Sequence, residues 1–498
     1  MGPARRVVTD APPDPRRWQM LPVVLSAIFM SLFDFFVVNV AAPSVRTELH
    51  ATDVALELIV GGYAFAYASG LITGGRLGDL FGYRRLFVLG MGAFTVASVL
   101  CGVAASPGQL VAARLFQGFA AAAMVPQVLA LITATFPGVE RPKALSWFGV
   151  TVGVGSVAGQ VLGGVLLDAD LFGLGWRAIF LVNLPIGLVV IALASRWLPP
   201  AAAAKRPRLD PVGSVGVSLA VALVLVPLVL GRSEGWPVWT LVAPAVAVPV
   251  LIGTLAWERA LHLRGGQPVI DPALFRNRHF SAGLAVNVAI MAFFGSFMFA
   301  LTLVLQSGLR LSPLEAGLTF GPLGAAFAIT SMLARGAVAR YGARVITVGT
   351  LVSGTGLLTL LVEVSLSGAS VSPLRMAVPM AVVGMGNGLI VPSLIGVVLT
   401  GVDPLRAGSA AGVLTTAQQF ASALGVATLG ELFFAVLGIR ADRTGFLYAL
   451  GWVLAVDLAL VAVAAGLSTL LPTSGGGPRV TIPASRSGYE PELMTSDR

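Results

Sequence analysis

The sequence predicts an all-α polytopic membrane protein of fourteen transmembrane helices: two groups of six, with two helices inserted between them. Three observations predict it. First, 56% of the 498 residues are hydrophobic and only 11% are charged, whereas soluble domains carry about 25% charged residues; the mean hydropathy is +0.89. Second, apolar runs recur along the chain at the length a helix needs to cross a bilayer core, about 20 residues. Third, Lys and Arg concentrate in alternate loops, the bias that sets membrane orientation.

In chain order, residues 1–17 are rich in Pro and Arg and read as a disordered tail. The first span, 21–42, follows Arg16 and Arg17 but is too long for a twin-arginine export signal. It also lacks a small-residue cleavage site and carries Asp34, so it reads as a permanent helix. Spans 54–78 and 86–104 flank a short turn dense in Gly and Arg, and 108–135 carries an arginine, Arg114, inside the apolar run. Span 143–167 is marked by recurring glycines, and 177–197 completes a first bundle over 18–197. The basic stretch from Leu198 to Pro211 opens a linker region, 198–279, that holds two more spans, 211–230 and 238–257. These are joined through Gly231 to Trp236. A second basic loop, about 258–279, precedes spans 280–306, 316–338, 344–365, 374–400, 407–435 and 444–471, a second bundle over 280–471. Residues 472–498, rich in Gly, Ser and Pro, read as another disordered tail.

An even number of spans puts both termini on one side. With that side cytoplasmic, Arg16, Arg17, Arg84, Arg85, Arg141, Lys143, Lys205 to Arg208, Arg276, Arg278, Arg340 and Arg344 all lie inside. The net charge of +9 is therefore topology and does not point to nucleic acid. One cysteine, Cys101, allows no disulfide framework, and His50, His262 and His279 are too scattered for a metal cluster. No cofactor is expected. Neither a nucleophile–base constellation nor a phosphate-binding loop is visible, which argues against an enzyme and against ATP as the energy source.

Several motifs stand in order along the chain. The turn between the second and third spans reads Gly75-Arg-Leu-Gly-Asp79-Leu-Phe-Gly82-Tyr-Arg84-Arg85. Asp79 is placed there to cap a helix start or to pair with Arg76, Arg84 or Arg85. The first span holds Asp34-Phe-Phe-Val-Val-Asn39-Val-Ala-Ala-Pro43, and the fourth Ala113-Arg114-Leu-Phe-Gln117-Gly118 with Pro126. The fifth contains Gly155-Ser-Val-Ala-Gly159-Gln160-Val-Leu-Gly163-Gly164, and the sixth opens Trp176-Arg-Ala-Ile-Phe-Leu-Val-Asn-Leu-Pro-Ile-Gly187. Asp271 to Phe280, Leu305-Gln306 and Ser312-Pro313 with Ala316-Gly317 follow, and Arg340-Tyr-Gly-Ala-Arg344 is a worn echo of the first turn. Together these resemble the major facilitator superfamily, and within it the fourteen-helix drug–proton antiporters. The resemblance implies a major facilitator fold in the cytoplasmic membrane, with a substrate path between two bundles near mid-membrane.

On that resemblance, Asp34 and Arg114 are the proton-coupling pair, with Gln117 as a second route between them. A carboxyl at bilayer depth is costly when charged, while a nearby cation favours the charged form. Poised between the two, Asp34 can load and release a proton. Arg114 stays charged and needs a partner; the alternative role is a permanent ion pair that only fixes helix packing. Gly75, Asp79, Gly82, Arg84 and Arg85 are carried over as a conformational latch on the cytoplasmic side, while Arg76 stands at a variable position. Gly155, Gly159 and Gly163 recur every four residues, so with Gly164 they are expected to let a helix of the other half pack closely. Gln160 departs from the family pattern, which usually has proline there.

Asn39, Gln127, Asn287, Asn387 and Gln418, with Phe33, Phe36, Phe294 and Phe297, are candidate liners of a large, mostly apolar cavity. Asp457 lies near the middle of the last span as a candidate second proton site, and Glu57, Glu363 and Glu431 lie near outer helix ends. The reading is proton-coupled export of drugs, antibiotics or other amphipathic small molecules, with protons and membrane lipid as the other partners. The alternatives are a proton-coupled importer, a lipid or metabolite carrier, or a non-transporting membrane sensor. High Ala, Gly, Val and Arg with scarce Lys fits a GC-rich bacterium, by analogy an antibiotic producer exporting its own product.

Overall fold

The computed structural model describes residues 16–136, 140–199, 210–231, 234–266, 272–400, 402, 407–438 and 442–471. Both expected tails, apart from residues 16 and 17, and most of the basic linker after Leu198 lie outside the described residues. Among them there is no β-strand, and fourteen segments are long and apolar enough to cross a membrane.

The first five spans are α1 (Arg17–Leu49), α2 (Asp53–Phe81), α3 (Tyr83–Gly102), α4 (Pro107–Thr135) and α5 (Arg141–Asp168). The sixth is broken into α6 (Ala178–Leu181) and α7 (Asn183–Trp197). Pro185 explains the break, because it has no N–H to offer the Leu181 carbonyl one turn earlier. The inserted pair is α8 (Pro211–Leu230) and α9 (Val238–Leu263). The last six spans begin with α10 (Arg278–Leu303), which runs into a single π turn at Val304–Gly308. Next come α11 (Pro313–Thr319) and α12 (Gly321–Tyr341), which together make one span broken before Pro322. The chain ends in α13 (Arg344–Ser367), α14 (Pro373–Thr400), α15 (Ala407–Leu437) and α16 (Arg443–Ser468).

Helix starts follow from the sequence. Thr52, Ser106, Asp210, Asn277 and Asp442 each accept a first-turn N–H, and Ser312 with Glu315 forms a reciprocal capping box. Two straps tie the ends of the first bundle. At the face where α1 begins, Arg17 donates to both oxygens of Glu140 at 2.7 and 2.8 Å. There Trp18 lies edge-on to Phe136, and Lys143 Nζ sits 4.8 Å from the Trp18 ring. At the opposite face, Glu48 accepts from Arg177 at 2.7 Å and from the Trp176 indole at 3.1 Å.

The two halves meet along two seams. One side of α5 packs on α1, and the other on α11, α12 and α14 of the second half. Across the molecule α2 meets α15, with α8 lying against both. Nearer the centre, the rings of Phe36 and Phe294 meet edge-on with centroids 6.4 Å apart. Helix α9 packs on α8 and leaves Val238, Leu241, Val242, Val248 and Ile252 exposed, which suits a helix facing lipid.

Candidate functional site

Asp34 and Arg114, eighty residues apart, meet inside the first bundle with both side chains fully buried. Arg114 Nη1 donates to Asp34 Oδ2 and to Gln117 Oε1, each at 2.7 Å, while its Nε donates to the Ile59 carbonyl at 3.1 Å. The guanidinium carbon lies 4.4 Å from the centroid of the Tyr63 ring and 5.7 Å from that of Phe180, placing the cation against two aromatic rings. Arg114 Nη2 has no hydrogen-bond partner. The pairing expected between the first and fourth spans is present, and Gln117 joins it as a second acceptor.

The sequence reading missed two members of this network. Asn183 Nδ2 donates to the other carboxylate oxygen, Asp34 Oδ1, at 2.8 Å. Ser98 Oγ accepts from Gln117 Nε2 at 2.8 Å and from Asn183 Nδ2 at 3.3 Å. Five spans therefore converge on one carboxyl. Asn183 reaches it because the break before α7 places that residue at a helix start inside the bundle; an amide beside Pro185 in an apolar run was the available signal. Below Asp34 on α1, Ser31 Oγ and the Tyr63 hydroxyl are 2.7 Å apart.

The arrangement has a definite chemical capacity. Ionised, Asp34 neutralises Arg114 and accepts from both Arg114 and Asn183, which offsets the cost of two buried charges. Protonated, it gives up the ion pair and leaves the Arg114 charge held by Gln117, the Ile59 carbonyl and two rings. Loss of the charge on Asp34 acts directly on its two donors, Arg114 on α4 and Asn183 on the sixth span. Among the described residues no group of three His, Cys, Asp or Glu side chains comes together to hold a metal ion.

The glycine–arginine turn is more helical than the sequence suggested. Helix α2 continues through Asp79 to Phe81, and Gly82 alone separates it from α3. At φ +94° Gly82 adopts a conformation that side chains disfavour. Asp79 therefore sits in the last turn of α2 and caps no helix start. It accepts from the Tyr83 hydroxyl at 2.9 Å and pairs with Arg76 at 3.8 Å, so the position set aside as variable supplies its cation. Arg84 donates instead to the Ser195 carbonyl near the end of α7, and Arg85 is exposed. Gly78 lies against Gln127, while a Cβ at Gly75 would meet only Pro126 at 3.7 Å.

The α5 glycines divide between two partners. A Cβ on Gly159 would meet the Phe33 carbonyl and Phe36 Cβ at 2.8 Å; one on Gly155 would approach Leu32 and one on Gly163 would meet Val37. That face therefore packs on α1 of the same bundle, not on the other half as expected. Gly164 does meet the other half, with a Cβ 2.7 Å from the Pro313 carbonyl carbon. So do Gly149 against Pro392 and Gly153 against Phe327, two glycines the motif did not mark. Gly317 in turn packs on the backbone of Gln160 and Val161. The α5 period is real, but it records intrabundle packing, with the interbundle seam on the next stripe.

The expected cavity liners are distributed among separate contacts. Gln127 donates to the Gly74 and Ala123 carbonyls at 2.9 Å, holding α4 to α2. Gln418 donates to Asn287 at 3.0 Å, and Asn287 to the Leu414 carbonyl at 3.3 Å, holding α15 to α10. Phe33 stacks on Phe29, and Phe293 packs against both Phe294 and Phe297. Asn39 is half-buried, while Asn387 is buried with neither amide atom hydrogen-bonded. An apolar groove of about 650 Å³ lies between α10, α15 and α16, and none of these residues lines it.

Comparison with known proteins shows the family of the chain. The model of the family described as the Major Facilitator Superfamily matches residues 24–426. A probable actinorhodin transporter of Streptomyces coelicolor is 42% identical over 82% of this chain and 71% of its own length. A puromycin resistance protein of Streptomyces alboniger is 35% identical over 82% of this chain and 80% of its own. A cephamycin export protein of Amycolatopsis lactamdurans is 34% identical over 81% and 82%. Among solved structures, an auto-inhibited POT family peptide transporter superposes with a TM-score of 0.62 at 16% identity, covering 91% of this chain and 96% of that one. A bacterial homolog of the human lysosomal transporter Spinster, inward-facing and occupied, gives 0.59 at 18% identity, covering 92% and 97%. At these identities the structures establish the fold alone.

Proposed function

The chain belongs to the Major Facilitator Superfamily of membrane transporters, and from that membership we propose that it exports antibiotics or similar amphipathic small molecules in exchange for protons. The face where α1 begins is the cytoplasmic one, and the protein sits in the cytoplasmic membrane with both termini inside. The observation that carries the reading is the fully buried Asp34 carboxyl, shared between Arg114 at 2.7 Å and Asn183 at 2.8 Å. An intramembrane acid with a cation and an amide on its two oxygens has two stable protonation states, and each favours a different arrangement of the helices around it.

Protons arriving from outside load Asp34, and the released Arg114 lets the first bundle repack. The two halves rock along the α5 seam at Gly149, Gly153 and Gly164. At the cytoplasmic end, Asp79 with Arg76 and Tyr83, Gly75 and Gly82 at the α2–α3 junction, and Arg84 on Ser195 latch the closed state, with Arg85 facing the surface. Substrate passes between the halves, where Phe36 and Phe294 meet. The relatives named as an actinorhodin transporter, a puromycin resistance protein and a cephamycin export protein support antibiotic cargo.

The test is efflux of a fluorescent lipophilic cation, and of puromycin, from energised cells. Wild type should export at least one of them, and Asp34→Asn or an uncoupler should stop export while expression holds. Export that is equal in wild type and Asp34→Asn and indifferent to the uncoupler would exclude Asp34-dependent antiport.

A further inference from the structure

The function proposed above does not use Asp457. Asp457 lies near the middle of α16 and is fully buried. Ser296 Oγ on α10 is 2.6 Å from Asp457 Oδ1, and Oδ2 has no protein partner. The titratable or charged groups on the helices packed against it lie toward their ends. They are Arg278 and His279 on α10, Arg344 and Glu363 on α13, Glu431 on α15, and Arg443 and Tyr448 on α16 itself. Arg443, the only cation of α16, stands fourteen residues away, roughly 21 Å along a helix. Among the described residues no ion pair reaches Asp457.

The contrast with Asp34 is one of supply. An ionised carboxylate offers about four lone-pair positions, and in the membrane core an uncompensated charge is strongly disfavoured. Asp34 meets a guanidinium and an amide. Asp457 meets one hydroxyl.

Ser296 Oγ also lies 2.9 Å from the Ala292 and Phe293 carbonyls, the usual partners of a serine within a helix. A hydroxyl has a single hydrogen. When it is donated to the backbone, the 2.6 Å contact needs a hydrogen from the carboxyl, and Asp457 then donates to Ser296. A neutral acid so placed leaves only a carbonyl oxygen unpaired, a far smaller cost than an unpaired charge.

We propose that Asp457 is a second proton-binding site, which holds its proton while α16 packs on α10 and exchanges it when the two helices separate. On release the carboxyl O–H bond breaks, the proton passes to water admitted beside Ser296, and Ser296 turns its hydrogen onto the carboxylate. The inference stands without the Asp34 reading, since it concerns the other bundle.

The experiment is infrared spectroscopy of the purified full-length protein in lipid nanodiscs at neutral pH, following the carbonyl stretch of protonated carboxylic acids. Wild type and Asp34→Asn should both contain a component that Asp457→Asn loses. Ser296→Ala, a milder change, should keep that component and shift it to higher frequency, because the acid loses its hydrogen-bond partner. In heavy water the component should move to lower frequency over time as the proton exchanges. Identical bands in wild type and Asp457→Asn, with no shift in Ser296→Ala, would overturn the site. A component that never responds to heavy water would overturn the exchange.

Discussion

At the scale of the residue, the informative contrast is between Arg114 and Asn183, the two donors to Asp34. Hydrogen bonds to charged groups contribute about 1.5–3 kcal/mol each, and either donor favours the ionised carboxyl. Replacing Asn183 with Leu removes one donor and leaves the ion pair. Transport should persist with an altered pH profile, because the charged form of Asp34 has lost one of its two donors. An unchanged pH profile in proteoliposomes would reduce Asn183 to packing. Arg114→Lys keeps the charge but loses the planar fork that reaches Asp34, Gln117 and Ile59 at once. It should lower thermal stability and alter the pH profile together; coupling that survives with the same profile would leave Arg114 as a structural partner only. Asp34 and Arg114 were legible in the sequence because a charge inside an apolar run stands out. Asn183 and Ser98 were not, because neutral polar side chains are common between membrane helices and their partners are set by tertiary packing.

At the scale of the element, α5 presents two glycine stripes with different duties. Gly159 admits the backbone of α1 within one bundle, and Gly164 admits α11 of the other. Overpacking of a tight contact costs about 1–3 kcal/mol. Gly159→Val and Gly164→Val should therefore both lower the melting temperature of the purified protein, and Gly164→Val, on the seam between the halves, should slow transport more. Equal effects of both on both measurements would mean that the two seams are mechanically alike. The four-residue period announced a small-residue face, but nothing in the spacing said which helix would lie against it. The broken sixth and tenth spans were hidden for a similar reason: hydropathy over a window is blind to a one-residue interruption, although Pro185 and Pro322 marked the places. The strap between α1 and α5 carries a pH signature of its own. The hydrogen bonds from Arg17 hold the Glu140 carboxyl below its ordinary value. A depressed folded-state value contributes stability above the unfolded-state value, about 4.3 for Glu, and that contribution is lost as pH falls through the folded-state value. Acid should therefore lower the melting temperature of wild type more than that of Glu140→Gln below about pH 4.3, by a small margin because the pair is partly exposed.

At the scale of the whole molecule, the question is which helices move as one body. The halves touch along α5 with α11, α12 and α14 on one side and α2 with α15 on the other. The inserted helix α8 lies against both α2 and α15, so it bridges the second seam and must travel with one bundle or the other. Ser218 decides between them: its hydroxyl donates to the Ser69 carbonyl of α2 at 2.6 Å, fastening α8 to the first bundle. Two tethers should then behave oppositely in a Cys101→Ser background. Cysteines at Ser69 and Ser218, joined by a short bifunctional reagent, link parts of one body and should leave efflux intact. Cysteines at Val161 and Leu314, on helices that touch at Gly317 and Gly164, link two bodies and should stop efflux until the tether is cleaved. Efflux that continues under the second tether would mean that the halves do not rock along α5. Efflux blocked by the first would place α8 with the second bundle and reverse the assignment of the inserted pair.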